Sequence, residues 1–169
     1  MAFTSVVEYG DGATNSNSYC SLATAENYWD SRLYPTTWDA ATDADKRIAL
    51  SWASRLLDQL LKWSGYKYDE DQAMQWPRDG AYDRAGYAID SDEIPTFLQE
   101  AVAEFAAYLI ASDRTAENAT KGFSRIKAGT VDVTINKWDR QSTIPNTVFT
   151  MVDFCAVKAS NRQRFLVRA

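Results

Sequence analysis

The chain has 169 residues, 46% apolar and 24% charged, with six Trp, nine Tyr, a formal net charge of −5 and no histidine. This is ordinary globular composition at a length suited to one domain with its own core. It leaves no imidazole for a zinc site or for a Ser-His or Cys-His relay, and no run of apolar residues long enough to cross a bilayer.

The acidic balance is uneven. Residues 1–120 hold 9 Lys/Arg against 20 Asp/Glu, whereas residues 121–169 hold 9 against 3, a polarity suited to an acidic partner for the basic end or to contact between copies. The opening MAFTSVVEYGDG lacks a basic start followed by an apolar run, so the protein is expected to stay in the compartment where it is made.

Phe3, Val6 and Val7 predict a short strand, ended by Gly10, Gly12 and Asn15–Asn17. Asp11, Asn15 and Asn17 lack the spacing and terminal Glu of a calcium loop, so that cluster reads as turn chemistry. Ser21 is placed to cap a helix running to about Leu33, with Leu22, Ala25, Tyr28 and Trp29 on one face and Pro35 closing it. A second helix starts at Thr42 or Asp43 and runs to about Ser64, since Ala49, Trp52, Ala53, Leu56, Leu57, Leu60 and Trp63 recur every three or four residues. Its tryptophans share a face with leucines, which makes them core rather than a base-stacking platform.

The connection Gln75–Pro95 has Pro77, Gly80 and Gly86 to define its turns, and Asp90, Asp92 and Glu93 before Pro95, a favourable start for the next helix. Trp76 is expected to pack on the helix pair. The third helix spans about Pro95 to Ser112, with a wide apolar face from Phe97 to Ile110. Beyond a polar stretch, β-branched residues flank Ala128-Gly129 and predict a hairpin over about 123–135. Ile144-Pro145-Asn146 opens a last helix to about Ala159, with Val148, Phe149, Val152, Cys155 and Ala156 as its stripe. Residues 160–169, SNRQRFLVRA, read as an arm in which arginines bracket an apolar knot. Cys20 and Cys155 have no metal-motif spacing and read as reduced structural thiols.

The expected architecture is therefore mainly α, a small helical bundle over residues 1–159 with one β-hairpin, and an extended C-terminal arm over 160–169. No cofactor or metal is expected, and with no phosphate-binding Gly loop or metal-ligand set the chain is not read as an enzyme.

Four stretches, YGDGATNSNSYCSLATAENYW (Tyr9 to Trp29), the helix Leu50 to Leu61, QWPRDG with DSDEIP (Gln75 to Pro95) and KAGTVDVTI (Lys127 to Ile135), resemble a family of tailed-phage proteins. These are often labelled DnaT-like single-stranded-DNA-binding proteins and are similar to head-tail connector (adaptor) proteins. The resemblance spans roughly Tyr9 to Phe154. Thr24 departs from it, since the family more often has an acid there to complete a capping box after Ser21.

As a connector, the resemblance implies a virion neck protein that is assembled in the host cytoplasm and works in genome ejection. Its partners would be the portal protein, other copies of itself in a ring of usually twelve, the next neck or tail protein, and duplex DNA passing through the channel without sequence-specific binding. An acidic channel wall would let the duplex slide. On that reading Arg162, Arg164, Phe165, Leu166 and Arg168 form the portal-binding arm, and Trp76, Arg78, Arg125 and Lys127 belong to subunit contacts. The alternative is single-stranded-DNA binding in replication. It needs a basic groove with stacking rings, whereas the rings here fall on apolar helix faces or among acids.

Overall fold

The computed structural model describes residues 3–116, 125–128, 131–134 and 142–159. The bundle is mainly helical: α1 (Leu22–Asp30), α2 (Thr36–Asp39), α3 (Asp43–Leu60), α4 (Thr96–Ala111) and α5 (Asn146–Val152). Three antiparallel two-stranded pairings join β1 (Leu61–Trp63) to β6 (Ala156–Lys158), β2 (Tyr66–Lys67) to β3 (Arg78–Asp79), and β4 (Arg125–Ala128) to β5 (Val131–Thr134).

α4 is the centre. Leu98, Ala101, Val102, Ala103, Phe105, Ala106 and Leu109 are all buried, because the helix packs chiefly on α3 and also on α5, α1 and α2. A helix covered on several sides must be apolar nearly all round, and its alanines allow its neighbours to approach closely. Thr42 caps α3 by accepting from Asp45 N at 3.2 Å, and Ser21 caps α1 by accepting from Thr24 N at 3.0 Å. Where an acid would complete the capping box, the Thr24 hydroxyl meets that of Ser21 at 2.8 Å.

Several ends differ from expectation. α1 stops at Asp30 rather than Leu33, and Pro35 opens the one-turn α2 that periodicity did not reveal. α3 ends at Leu60, and its apolar rhythm continues into a strand: Leu61, Lys62 and Trp63 pair with Lys158, Val157 and Ala156. α5 correspondingly ends at Val152, and the residues expected as its last turns form β6. The hairpin is present in register, Arg125 opposite Thr134 through Ala128 opposite Val131.

The N-terminal stretch forms no strand beyond a single parallel bridge, Val7 to Ser18. It is organised by Glu8, 1% exposed. Oε1 accepts from Gly10 N and Gly12 N at 3.0 and 3.1 Å, and Oε2 from Ala13 N at 3.0 Å and Ser16 Oγ at 2.8 Å. Four donors converging on one carboxylate satisfy backbone groups that a loop of this length would otherwise leave to water. Gly10 (φ +116°) sits so close to the Asp92 carbonyl that a Cβ there would lie 1.9 Å from the oxygen, so only glycine lets the two loops meet.

A second buried node holds the connection between α3 and α4. Tyr19 Oη donates to both Asp58 oxygens at 2.7 Å, Trp63 Nε1 donates to Oδ1 at 3.2 Å, and Gln75 N donates to Oδ2 at 3.1 Å. Burial nevertheless lifts the Asp58 carboxyl from 3.8 to about 6, against the pull of these donors. Such a group binds its proton more tightly folded than unfolded. Its contribution to stability is greatest below the unfolded value and is lost as pH rises through about 6. Relative to Asp58→Asn, the wild type should therefore lose on the order of 2 kcal/mol between acidic and neutral pH, one pKa unit being worth about 1.4 kcal/mol. Parallel urea titrations of both proteins across that range measure it, and a constant difference would refute the assignment.

Candidate nucleic-acid interface

The tryptophans are covered to different degrees, and several of the tyrosines are exposed. Trp38, Trp63 and Trp76 are buried and Trp52 is partly so, whereas Tyr66, Tyr68, Tyr82 and Tyr87, all in the α3–α4 connection, are exposed, Tyr66 by 79% and Tyr87 by 74%. Four rings facing solvent in one short segment are uncommon without a partner, since tyrosine keeps a large apolar body.

The backbone that presents them is fixed locally. Gly65 takes φ +72°, and a Cβ on it would meet the Asp79 carbonyl at 2.2 Å, so the turn between β1 and β2 lies directly against the end of β3. Arg78 locks that contact from beneath: Nε donates to Ser64 O at 2.7 Å, Nη2 to Gly65 O at 2.7 Å, and Nη1 to Gln75 O at 2.9 Å. Further on, Tyr82 bridges Ala88, and Asp83 Oδ1 accepts from Ala85 N and Tyr87 N at 2.9 and 2.8 Å, closing a tight loop with a tyrosine near each end. Arg84 ties this loop to α5 through Thr150 O at 2.6 Å and Asp153 Oδ1 at 2.9 Å, and lies over the Phe154 ring.

An open groove of about 510 Å³ follows, lined by Lys62, Trp63, Ser64, Gly65, Tyr66, Gly80 and Val157. Lys62 and Val157 stand opposite each other on β1 and β6; both are exposed, and Val157 adds apolar surface to the groove that Tyr66 also lines. Lys158, next on β6, places its ammonium 4.4 Å from the centre of the Phe149 ring. The groove thus offers a ring, an aliphatic patch and the Lys62 cation, Lys158 being turned to the other face of β6. Asp69, Glu70, Asp71 and Asp79 are exposed nearby in the sequence, so its chemistry favours stacking over phosphate neutralisation.

The expected site residues fall differently. Trp76 is 0% exposed, edge-on to Trp63 at 5.7 Å and Phe97 at 6.2 Å, and its bond to Pro77 is cis. Arg78 is buried and spends its donors on the carbonyls named above. Both therefore serve the interior of the subunit, and neither offers an exposed side chain to a neighbouring copy. Arg125 and Lys127 lie on β4, where the backbone alone is described; the arm residues Arg162, Arg164, Phe165, Leu166 and Arg168 lie outside the described residues. Both cysteines are free and buried, their thiols pushed up to about 12 by desolvation. Among the described residues no cluster of three or more His, Cys, Asp or Glu could hold a metal ion, and no helix is long and apolar enough to cross a membrane.

The fold and groove define a small helical domain whose α3–α4 connection exposes four tyrosines. Residues 3–169 match the protein family described as "Putative DnaT-like ssDNA binding protein", and the chain belongs to that family. No curated protein and no solved structure matches it. The family is described by single-stranded-DNA binding, and this corrects the connector expectation: head-tail connector, ring of copies and portal binding find no support in it. The alternative reading of the sequence is the better supported one.

Proposed function

We propose that the protein is a non-enzymatic binding module for single-stranded DNA, and that the strand lies across the groove of Lys62, Tyr66 and Val157. The observation that carries the reading, beside the family, is the exposed ring of Tyr66, which lines an open groove together with Lys62. An unpaired base has a π-face for such a ring whatever its identity, and a neighbouring cation meets the phosphate that follows it. Tyr82 and Tyr87 supply further platforms in the same connection.

The acidic setting gives the reading a quantitative signature. With Lys62 as the cation at the groove, about one phosphate would be neutralised, and log K should fall against log salt with a slope of about −0.7 for a single strand. Fluorescence anisotropy with a labelled single-stranded oligonucleotide should show binding that survives moderate salt. Tyr66→Ala should weaken it by about 1 to 3 kcal/mol, the range for loss of one stacking platform. A protein that leaves the oligonucleotide free at micromolar concentration, or whose Tyr66→Ala variant binds as well as the wild type, would overturn the proposal.

A further inference from the structure

We propose that a second cleft, between α1, α2 and α4, is a base pocket that takes one unstacked nucleobase bearing an exocyclic amino group, adenine, cytosine or guanine in preference to thymine. This inference rests on the single-strand reading and names a specificity that the Tyr66 groove cannot supply. The cleft has a volume of about 350 Å³, and its lining includes Trp29, Arg32, Tyr34, Trp38, Glu104 and Tyr108. That is within the range of small-ligand pockets, which are mostly apolar with a few placed polar groups.

Three features fit it to a flat, uncharged ring that donates hydrogen bonds. Trp29 and Trp38, 7% and 0% exposed, stack on each other at 6.0 Å and 20° and form a rigid apolar floor beneath the cleft, leaving Tyr34 to supply the ring face that a base can stack on. Tyr34, 86% exposed, stands at its rim with φ +65°, the one non-glycine residue among those described with a left-handed backbone. A side chain held outward at such a position is a strained arrangement that packing within the subunit does not require.

The third feature is Glu104, only 5% exposed. Its Oε2 accepts from Tyr28 Oη at 2.9 Å and from Arg32, while Oε1 accepts from no described residue. Arg32 lies over the rings of Tyr28 and Trp29 and offsets the carboxylate charge. The pair is close to neutral as a whole and selects neither an anion nor a cation, but it leaves one carboxylate oxygen for a donor. An exocyclic amine can meet that oxygen. Thymine has no such amine: its N3–H lies between two carbonyl oxygens, which would face the carboxylate with like partial charge.

The cleft and the Tyr66 groove lie towards opposite ends of α3, whose eighteen residues span about 27 Å. The two sites can therefore be separated by mutation. Labelled oligo(dC), oligo(dA) and oligo(dT) of equal length would be titrated against wild type, Tyr34→Ala, Glu104→Gln and Tyr66→Ala. The mononucleotides dCMP and dTMP would be followed by NMR at the tryptophan indole signals.

Oligo(dC) and oligo(dA) should bind about tenfold tighter than oligo(dT), the gain from one hydrogen bond to a charged group. Tyr34→Ala should weaken them about tenfold, Glu104→Gln should close the gap to oligo(dT), and dCMP should shift the indole signals at concentrations where dTMP does not. Because Glu104→Gln alters a buried ion pair and can fail to fold, Tyr34→Ala, at a solvent-facing side chain, keeps the test decisive. Equal affinity for all three strands with Tyr34→Ala unchanged and Tyr66→Ala weakened would overturn the base pocket and leave the single-strand reading standing. Selective dCMP binding without strand binding would support the pocket and overturn that reading, and no binding of either kind would overturn both.

Discussion

Replacing Glu8 by Ala should cost the protein roughly 4 kcal/mol of stability, more than any other single substitution of a polar residue in the N-terminal stretch. The carboxylate accepts from three backbone N–H groups and from the Ser16 hydroxyl. Taking it away leaves those donors with no partner in a place where they are covered by the fold. Each unpaired buried donor costs about 1 to 3 kcal/mol, and water entering the space left by the side chain recovers part of the sum. Glu8→Gln should be milder, since an amide oxygen can still accept from Gly10 and Gly12 and the Ser16 hydroxyl can turn to Ala13 O and accept from the NH₂, leaving only Ala13 N facing the wrong polarity. Chemical denaturation of the three proteins should rank them wild type, Gln, Ala. An Ala variant within about 0.5 kcal/mol of wild type, the range of ordinary surface changes, would mean that the loop does not depend on this carboxylate.

Trp76→Ala should be as damaging for a different reason. The indole is wholly buried, edge-on to Trp63 on β1 and to Phe97 on α4, so its removal empties a volume shared by the ends of two helices and the connection between them. Loss of a buried aromatic typically costs about 3 to 5 kcal/mol, from lost transfer energy and the cavity left behind. Trp76→Phe should cost less, because the indole Nε1 has no hydrogen-bond partner among the described residues to lose. Thermal unfolding followed by circular dichroism would show the Ala variant melting well below the Phe variant; equal melting temperatures would place the ring's contribution elsewhere.

The two long helices were readable because a repeat of three to four residues is a local property: Leu50, Leu57, Leu98 and Phe105 occupy the faces that their spacing assigns. The end of α3 was not readable for the same reason. Leu57, Leu60 and Trp63 keep helical spacing, and only pairing with Ala156–Lys158 from a distant part of the chain turns Leu61–Trp63 into a strand. Glu8 was passed over because a lone acid between Val7 and Tyr9 reads as solvated; the available signal was the Gly, Ala and Ser donors that follow it within eight residues.

The candidate interface was partly legible. The connection from Gln75 to Pro95 stood out for its Pro and Gly positions, and its tyrosines were noticed as rings among acids. Their exposure follows from turns that sequence cannot place, the Gly65 contact with Asp79 above all. Trp76 and Arg78 read as residues of a contact between copies because the side chains that make a turn rigid look, in sequence, like those that make a surface sticky: an aromatic and an arginine beside Pro and Gly. Here the ring fills the core and the guanidinium is used up on carbonyls.

The pairing of β1 with β6 also bears on when the protein can fold during synthesis. Leu61–Trp63 finish the long helix and help enclose the Trp76 indole, yet their partner strand is made last among the described residues. A nascent chain that has released both long helices from the ribosome still lacks α5 and β6, the elements that cover one side of α4 and complete the edge at Trp63. Its apolar helix faces must wait, through the synthesis of the whole hairpin region, for contacts that lie far apart in sequence. Closure of the core is thus set by the emergence of Ala156–Lys158, and nascent chains halted before that point should be the ones that chaperones hold.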